Sequence, residues 1–264
     1  MRPETMDAPS LYLPGLALPL VAVAPRMLGF MAGLQLLPAA AFPALLRNVL
    51  GLAMALVVYP VAAEDALLRE RDVLWWTMIL AKEALIGLAL GTLLGLPLAL
   101  FEALGSMIDT QSGANSSSVY NPLAEAELGA WAGLLRMMGA TLIVSTGLLA
   151  ASVELGLWSY RAWPVSVLVP PFEIDGTQAL LLFQRFMEKL LLLAFPVVFV
   201  LLLLELAVGR MARPVPQLNV FTVSMPVKAV AAVMVLMFEL LFMLDGVVDL
   251  LRFPIVAVRR WIGM

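Results

Sequence analysis

Six apolar blocks fill most of this chain, at about residues 11–37, 44–62, 74–108, 128–160, 179–208 and 226–250. Each reaches or nearly reaches the ~20 residues that a helix needs to cross about 30 Å of hydrocarbon. Leucine, alanine and methionine dominate them and strand-type alternation is absent, so the expected fold class is all-α, a polytopic membrane protein of about six long apolar helices. Composition agrees: 62% of the residues are hydrophobic and 13% charged, against roughly 45–50% and 25% in soluble domains. No polar stretch between the blocks is long enough for a separate soluble domain, and residues 1–264 read as one membrane-embedded domain. The first block is too long for a signal peptide and reads as an anchor that stays.

Two blocks overshoot a bilayer. Block 74–108 holds 35 residues, roughly 52 Å as a helix, and block 128–160 is nearly as long. They are expected to bend, with Pro97 as one place, or to project out of the hydrocarbon into protein. Basic residues are more numerous on the side that holds both termini (Arg2, Arg69, Arg71, Arg161, Arg252, Arg259, Arg260) than on the other (Arg47, Arg210, Arg213, with Lys228 nearby). Both termini are therefore expected in the cytoplasm.

Several chemistries are closed to this chain. It has no cysteine and no histidine, which removes disulfides, thiolate chemistry and the commonest metal ligand. Neither a metal site nor a cofactor is expected. The net charge is −3 and the 16 basic residues are scattered, so nucleic-acid binding is not expected. There is no nucleophile–base arrangement that would support an enzyme.

Three features stand out. Gly87, Gly91 and Gly95 follow one another at i, i+4, i+8, with Ala99 and Ala103 continuing the row and Gly129 and Gly133 repeating it in the next long block. Such a bare face lets another backbone come close, either within the chain or on another subunit. The loop from Asp109 through Gln111, Ser112, Gly113, Asn115, Ser116, Tyr120 and Asn121 to Pro122 is small, polar and free of Lys and Arg. It suits a solvent-exposed linker or irregular backbone lining a cavity at membrane depth. Asn121–Pro122 reads as an N-cap followed by proline at the first helical position. The third is the segment Arg210–Lys228, where Pro214, Pro216 and Pro226 are expected to break the helix and Gln217 and Asn219 offer amides in apolar surroundings.

Ionisable residues occur inside nearly every block, among them Arg26, Lys82, Glu83, Glu102, Arg136, Glu154, Arg185, Glu188, Lys189, Glu205, Lys228, Glu239 and Asp245. At a bilayer centre each costs at least ~2.5–3.5 kcal/mol. They are read either as an ion relay or as charges placed in subunit contacts. Arg185–Glu188 and Asp249–Arg252 have the spacing of helical pairs, whereas Lys82 and Glu83 are adjacent, about 100° apart, and are not expected to pair with each other.

Pro216-Gln217-Leu218-Asn219-Val220-Phe221 followed by Pro226-Val227-Lys228 resembles the PQ-x-N-[VI]-F…P-x-K signature of the type III secretion export-apparatus family SctT and its flagellar branch FliR. Asp109-x-Gln111-x-Gly113 closing on Asn121-Pro122, Lys82-Glu83-x-x-x-Gly87, and Pro25-Arg26-x-x-Gly29 are similar to further family motifs in the same order. Ser224-Met225 before Pro226, where flagellar members often carry glycine, leans towards the virulence branch. Asn121 stands where many members have Asp.

The resemblance implies a structural, non-enzymatic subunit of the export gate in the bacterial inner membrane, raised towards the periplasm within the secretion basal body. It implies assembly with SctR-like and SctS-like subunits, contact with an SctU-like switch protein and membrane lipid, and passage of secreted proteins driven by the proton gradient and a separate ATPase. Residues Asp109–Pro122 would form the plug that keeps the channel closed. Gly87, Gly91, Gly95, Lys82, Glu83, Pro216, Gln217, Asn219, Phe221, Pro226 and Lys228 would serve packing and assembly. The alternative reading is a proton-coupled secondary transporter of a small solute using Glu83, Glu102 or Arg136.

Overall fold

The computed structural model describes residues 12–35, 43–63, 72–113, 129–169, 176–211 and 220–262. They form helices α1 (Tyr12–Leu34), α2 (Ala44–Ala63), α3 (Val73–Ser112), α4 (Ala130–Ser145), α5 (Leu148–Ala162), α6 (Gly176–Met211) and α7 (Val220–Ile262). All regular structure among the described residues is helical, as the apolar blocks predict. Two helices, Val73–Ser112 and Leu180–Arg210, are long and apolar enough to cross a membrane, and α4–α5 makes a third if counted as one bent span. The apolar parts of α1 and α2, Pro19–Leu34 and Ala44–Pro60, are shorter.

Two departures from expectation concern breaks. The block 128–160 is two helices, separated at Thr146–Gly147. The sequence Ser145-Thr146-Gly147 is a helix stop: Gly147 adopts a left-handed φ of +74°, and the hydroxyls of Ser145 and Thr146 donate to the Leu142 carbonyl. A residue in that conformation ends a helix and satisfies its last carbonyls. Pro97, one place offered for a bend, does not end α3, a helix of 40 residues that contains it. Pro226 does not break a helix either, since it lies inside α7, as does Pro254.

The chain forms two compact units, one of residues 1–95, 150–174 and 255–264, the other of residues 96–149 and 175–254. In the first, Ala22, Val23 and Met27 of α1 pack with Ala55 and Val58 of α2, Ile79 of α3, Tyr160 of α5 and Val165 just beyond it. In the second, Phe101, Leu104 and Ile108 of α3 are buried together with Leu135 of α4, Val197 and Leu201 of α6 and Ala232 of α7. Gly105 admits the Ala132 backbone, and Gly139 admits the ring of Phe101. Large apolar side chains remain exposed along α2, α6 and α7, for example Leu56, Phe195, Phe199, Met234 and Phe238. Faces of that size belong against lipid or another protein rather than water.

Candidate functional site

In the first unit the glycine row lies on α1. A side chain at Gly87 would collide with the Arg26 carbonyl, at Gly91 with that of Phe30, and at Gly95 with that of Leu34. The fit is reciprocal, because a Cβ at Gly29 would come within 2.6 Å of the Ala84 carbonyl and one at Gly33 within 2.6 Å of the Leu88 carbonyl. Of the two partners left open by the sequence, the row takes this chain's own α1. The row ends there: Ala99 is exposed, and Gly133 in α4 faces open space, not a neighbouring helix.

That close approach permits a buried ion pair. Arg26, with no exposed surface, donates from Nε to Glu83 Oε2 at 2.6 Å and from Nη2 to Oε1 at 2.8 Å. Its remaining donors go to Ser159 Oγ at 3.2 Å and the Trp163 carbonyl at 2.9 Å, and the guanidinium stands 4.2 Å from the centre of the Tyr160 ring. Tyr160 in turn donates its hydroxyl to the Val23 carbonyl at 2.7 Å. Contrary to expectation, Lys82 does pair with its neighbour, with Nζ 2.8 Å from Glu83 Oε1. The expectation used Cβ directions only. Four methylenes let Nζ swing sideways, and the carbonyls of Pro164, Val165 and Val167 at 3.0–3.3 Å draw it to that side. A bidentate arginine with two further hydrogen-bond acceptors at hand is an arrangement in which burial of charge is tolerated.

In the second unit the polar loop's stem is held on both sides. Asp109 is buried at the end of α3, and its two oxygens accept the backbone N–H groups of Trp131 at 3.1 Å and Ala132 at 2.9 Å. Helix α4 begins at Gly129, which has no side chain to cap it, so a carboxylate from another helix satisfies its first donors and faces its positive end. A Cβ at Gly129 would overlap that carboxylate. Ser112 donates to the Asp109 carbonyl at 3.2 Å, and Gly113 ends α3 with a left-handed φ of +79°.

Lys228, buried in α7, donates to the Gln111 carbonyl at 3.0 Å, one of the unsatisfied carbonyls at the end of α3. Its Nζ lies 3.5 Å from Glu205 of α6, which also receives Gln111 Nε2 at 3.4 Å. Gln111, Lys228 and Glu205 thus meet, while Asp109 grips α4. The structure does not bring together Arg185 with Glu188, or Asp249 with Arg252: neither is among the ion pairs of the described residues. Glu102 instead pairs with Arg136, and Glu154 with Arg259 at 4.0 Å.

Pro226 is exposed on α7. Phe221 falls in the first turn of α7, with its side chain outside the description. Asn115, Ser116, Tyr120, Asn121, Pro122, Pro216, Gln217 and Asn219 lie outside the described residues. Sequence reasoning missed the cap that Asp109 provides to α4 and the gathering of Ser159, Tyr160 and residues 163–167 around Arg26. For Arg26 and Glu83 a signal existed, since each stands one turn before a glycine of the close-packed faces, Gly29 and Gly87. Among the described residues no group of acidic side chains is placed to hold a metal ion.

Residues 17–253 match the family described as bacterial export proteins, family 1. The surface presentation of antigens protein SpaR of Salmonella typhimurium is 32% identical over 81% of this chain and 80% of its own. The Yop proteins translocation protein T of Yersinia pestis is 29% identical over 73% of this chain and 74% of its own. The flagellar biosynthetic protein FliR of Bacillus subtilis is 33% identical over 60% and 63%.

Proposed function

Because the chain belongs to the bacterial export proteins, family 1, we propose that it is a subunit of a type III secretion export apparatus. Its relatives include a Yop translocation protein, SpaR and SsaT beside flagellar FliR proteins. It is an inner-membrane component that assembles with other export-apparatus subunits, and its role is structural. In the finer reading it completes a channel with SctR-like and SctS-like subunits, touches an SctU-like switch protein, and closes the channel at rest with the segment that follows Asp109.

One observation carries the plug reading: both ends of segment 114–128 are anchored, with Asp109 and Lys228 buried. Asp109 ties the end of α3 to the start of α4, and Lys228 with Glu205 fastens Gln111 to α7 and α6. A stopper that must hold against a pressure of ions needs a stem that does not fray, and these contacts fix the stem on both sides. The buried charges supply no comparable case for a solute transporter, because Glu83, Glu102 and Arg136 are all taken up in ion pairs.

The test is made on the chain co-expressed with its genomic neighbours. Native mass spectrometry of the mildly extracted material is expected to return one large complex containing SctR-like and SctS-like subunits. A stable lone monomer would reject the subunit reading. Removal of residues 114–118 is expected to leave that complex intact and raise the resting ion permeability of the membrane. Unchanged permeability with normal assembly would reject the plug.

A further inference from the structure

Within the second unit, α6, α7 and the middle of α3 border a shallow pocket open to the surface. Its wall is apolar, formed by Leu96, Leu100, Phe186 and Phe253 among others, and its two polar side chains are both cations, Arg185 and Lys189. They are four residues apart on α6 and so share one face one turn apart, where like charges repel. No ion pair of the described residues involves either of them. Arg185 lies 5.7 Å from the centre of the Phe253 ring, which orients the guanidinium at the pocket without neutralising it. Two cations held together over an apolar wall, with no ion pair among the described residues, are complementary to one anion with a hydrocarbon body.

Their position along α6 says which kind of anion. Immediately after Lys189 the helix runs from Leu190 to Leu204 without a charged residue, about 22 Å at 1.5 Å per residue. The cation pair therefore stands at one end of the uncharged stretch of α6, so that an anion held there could lay a hydrocarbon chain along that stretch. Beyond it Leu192 and Phe199 are exposed one and two heptads after Arg185, with Phe195 exposed between them, so that face of α6 stays apolar. The wall offers a polypeptide partner no hydrogen-bonding side chain besides the two cations.

We propose that this pocket binds an anionic phospholipid, its phosphate held by Arg185 and Lys189 and its acyl chain lying on the apolar face of α6. Basic clefts between helices at a membrane edge are recognised sites for acidic head groups, each cation contributing modestly but additively. The proposal needs only membrane embedding and stands apart from the plug.

The probe is phosphatidylglycerol, with phosphatidylcholine of the same chains as neutral control, titrated into the delipidated complex in detergent and read by native mass spectrometry. The wild type is expected to retain phosphatidylglycerol in preference to phosphatidylcholine. The double substitution Arg185→Gln with Lys189→Gln is expected to weaken that retention about 30-fold, and the charge-keeping pair Arg185→Lys with Lys189→Arg to preserve most of it. Equal retention of both lipids by the wild type would overturn the proposal without any variant. So would unaltered phosphatidylglycerol retention in the double Gln variant. Loss of a co-purifying subunit from that variant, with lipid retention unchanged, would overturn it in favour of a carboxylate supplied by a protein partner.

Discussion

Arg26 and Glu83 are fully buried, and neither can be changed alone without stranding the other. Glu83→Ala leaves the guanidinium with only Ser159 and the Trp163 carbonyl as hydrogen-bond acceptors, a loss expected to cost about 3–5 kcal/mol. The expected result is a marked fall in Tm of the detergent-solubilised chain. The double change Arg26→Met with Glu83→Leu is expected to recover a large part of it, because the pair is then replaced by apolar volume. Failure of the double variant to recover would show that the contacts of Arg26 with Tyr160 and the 163–167 turn dominate. Glu239 is the opposite case. It is buried beside Phe101, Leu135, Leu193 and Leu236, and neither carboxylate oxygen has a hydrogen-bond partner among the described residues. Glu239→Met is expected to raise the stability of the isolated chain by ~1–3 kcal/mol, the cost of a buried polar group left unsatisfied. An unchanged or lower Tm would mean that the carboxylate does useful work in this chain.

At the scale of the element, the pairing of α1 with α3 rests on glycine at both surfaces. Gly91→Leu puts a branched side chain where the Phe30 carbonyl lies, so the helices cannot close and the Arg26–Glu83 pair cannot form. Loss of folded chain on size exclusion is expected even in the absence of partners. Recovery of normal monomer would mean that α1 and α3 do not pack through this face. Gly133→Ala makes the contrast, because nothing lies within 4 Å of the added methyl. In the isolated chain it is expected to be neutral or stabilising by about 0.5–1 kcal/mol, through helix propensity alone. A loss of complex with Gly133→Ala, with the isolated chain unharmed, would locate a partner on that face of α4.

For the whole molecule, the length of α3 is decisive. Its 40 residues span about 60 Å, twice the ~30 Å of hydrocarbon. The absence of native cysteine makes labelling clean. Single cysteines at the exposed positions Thr77 and Thr110 stand about 50 Å apart along the helix. Both are expected to react with a membrane-impermeant maleimide in vesicles open on both faces, while one at the exposed Leu88 is protected. Protection at either threonine would mean that α3 tilts or sinks within the bilayer instead of projecting from it. Exposed apolar faces on α2, α6 and α7 fit the same picture of a chain completed by lipid and sister subunits.

Helix content and the ends of most elements were legible because the apolar runs themselves specify them: each run needs its backbone bonds closed internally, whatever it packs against. The stop at Ser145-Thr146-Gly147 was equally local and simply overlooked, since its hydroxyls and glycine act on the turn they belong to. The bare face of Gly87, Gly91 and Gly95 announced a close contact but not its partner, as any backbone fits a face without side chains. Pro226 sits inside α7 against expectation, because propensity weighs a missing hydrogen bond and cannot weigh the packing that keeps the helix going on both sides. What only the tertiary structure decided was where charges go. Asp109 caps a helix that starts 21 residues later, Arg26 reaches Glu83 across 57 positions, and Lys82 finds its neighbour because three carbonyls of a distant turn draw it there. An apolar segment chooses its conformation by itself, whereas a buried charge is stable only where separate parts of the chain bring it partners.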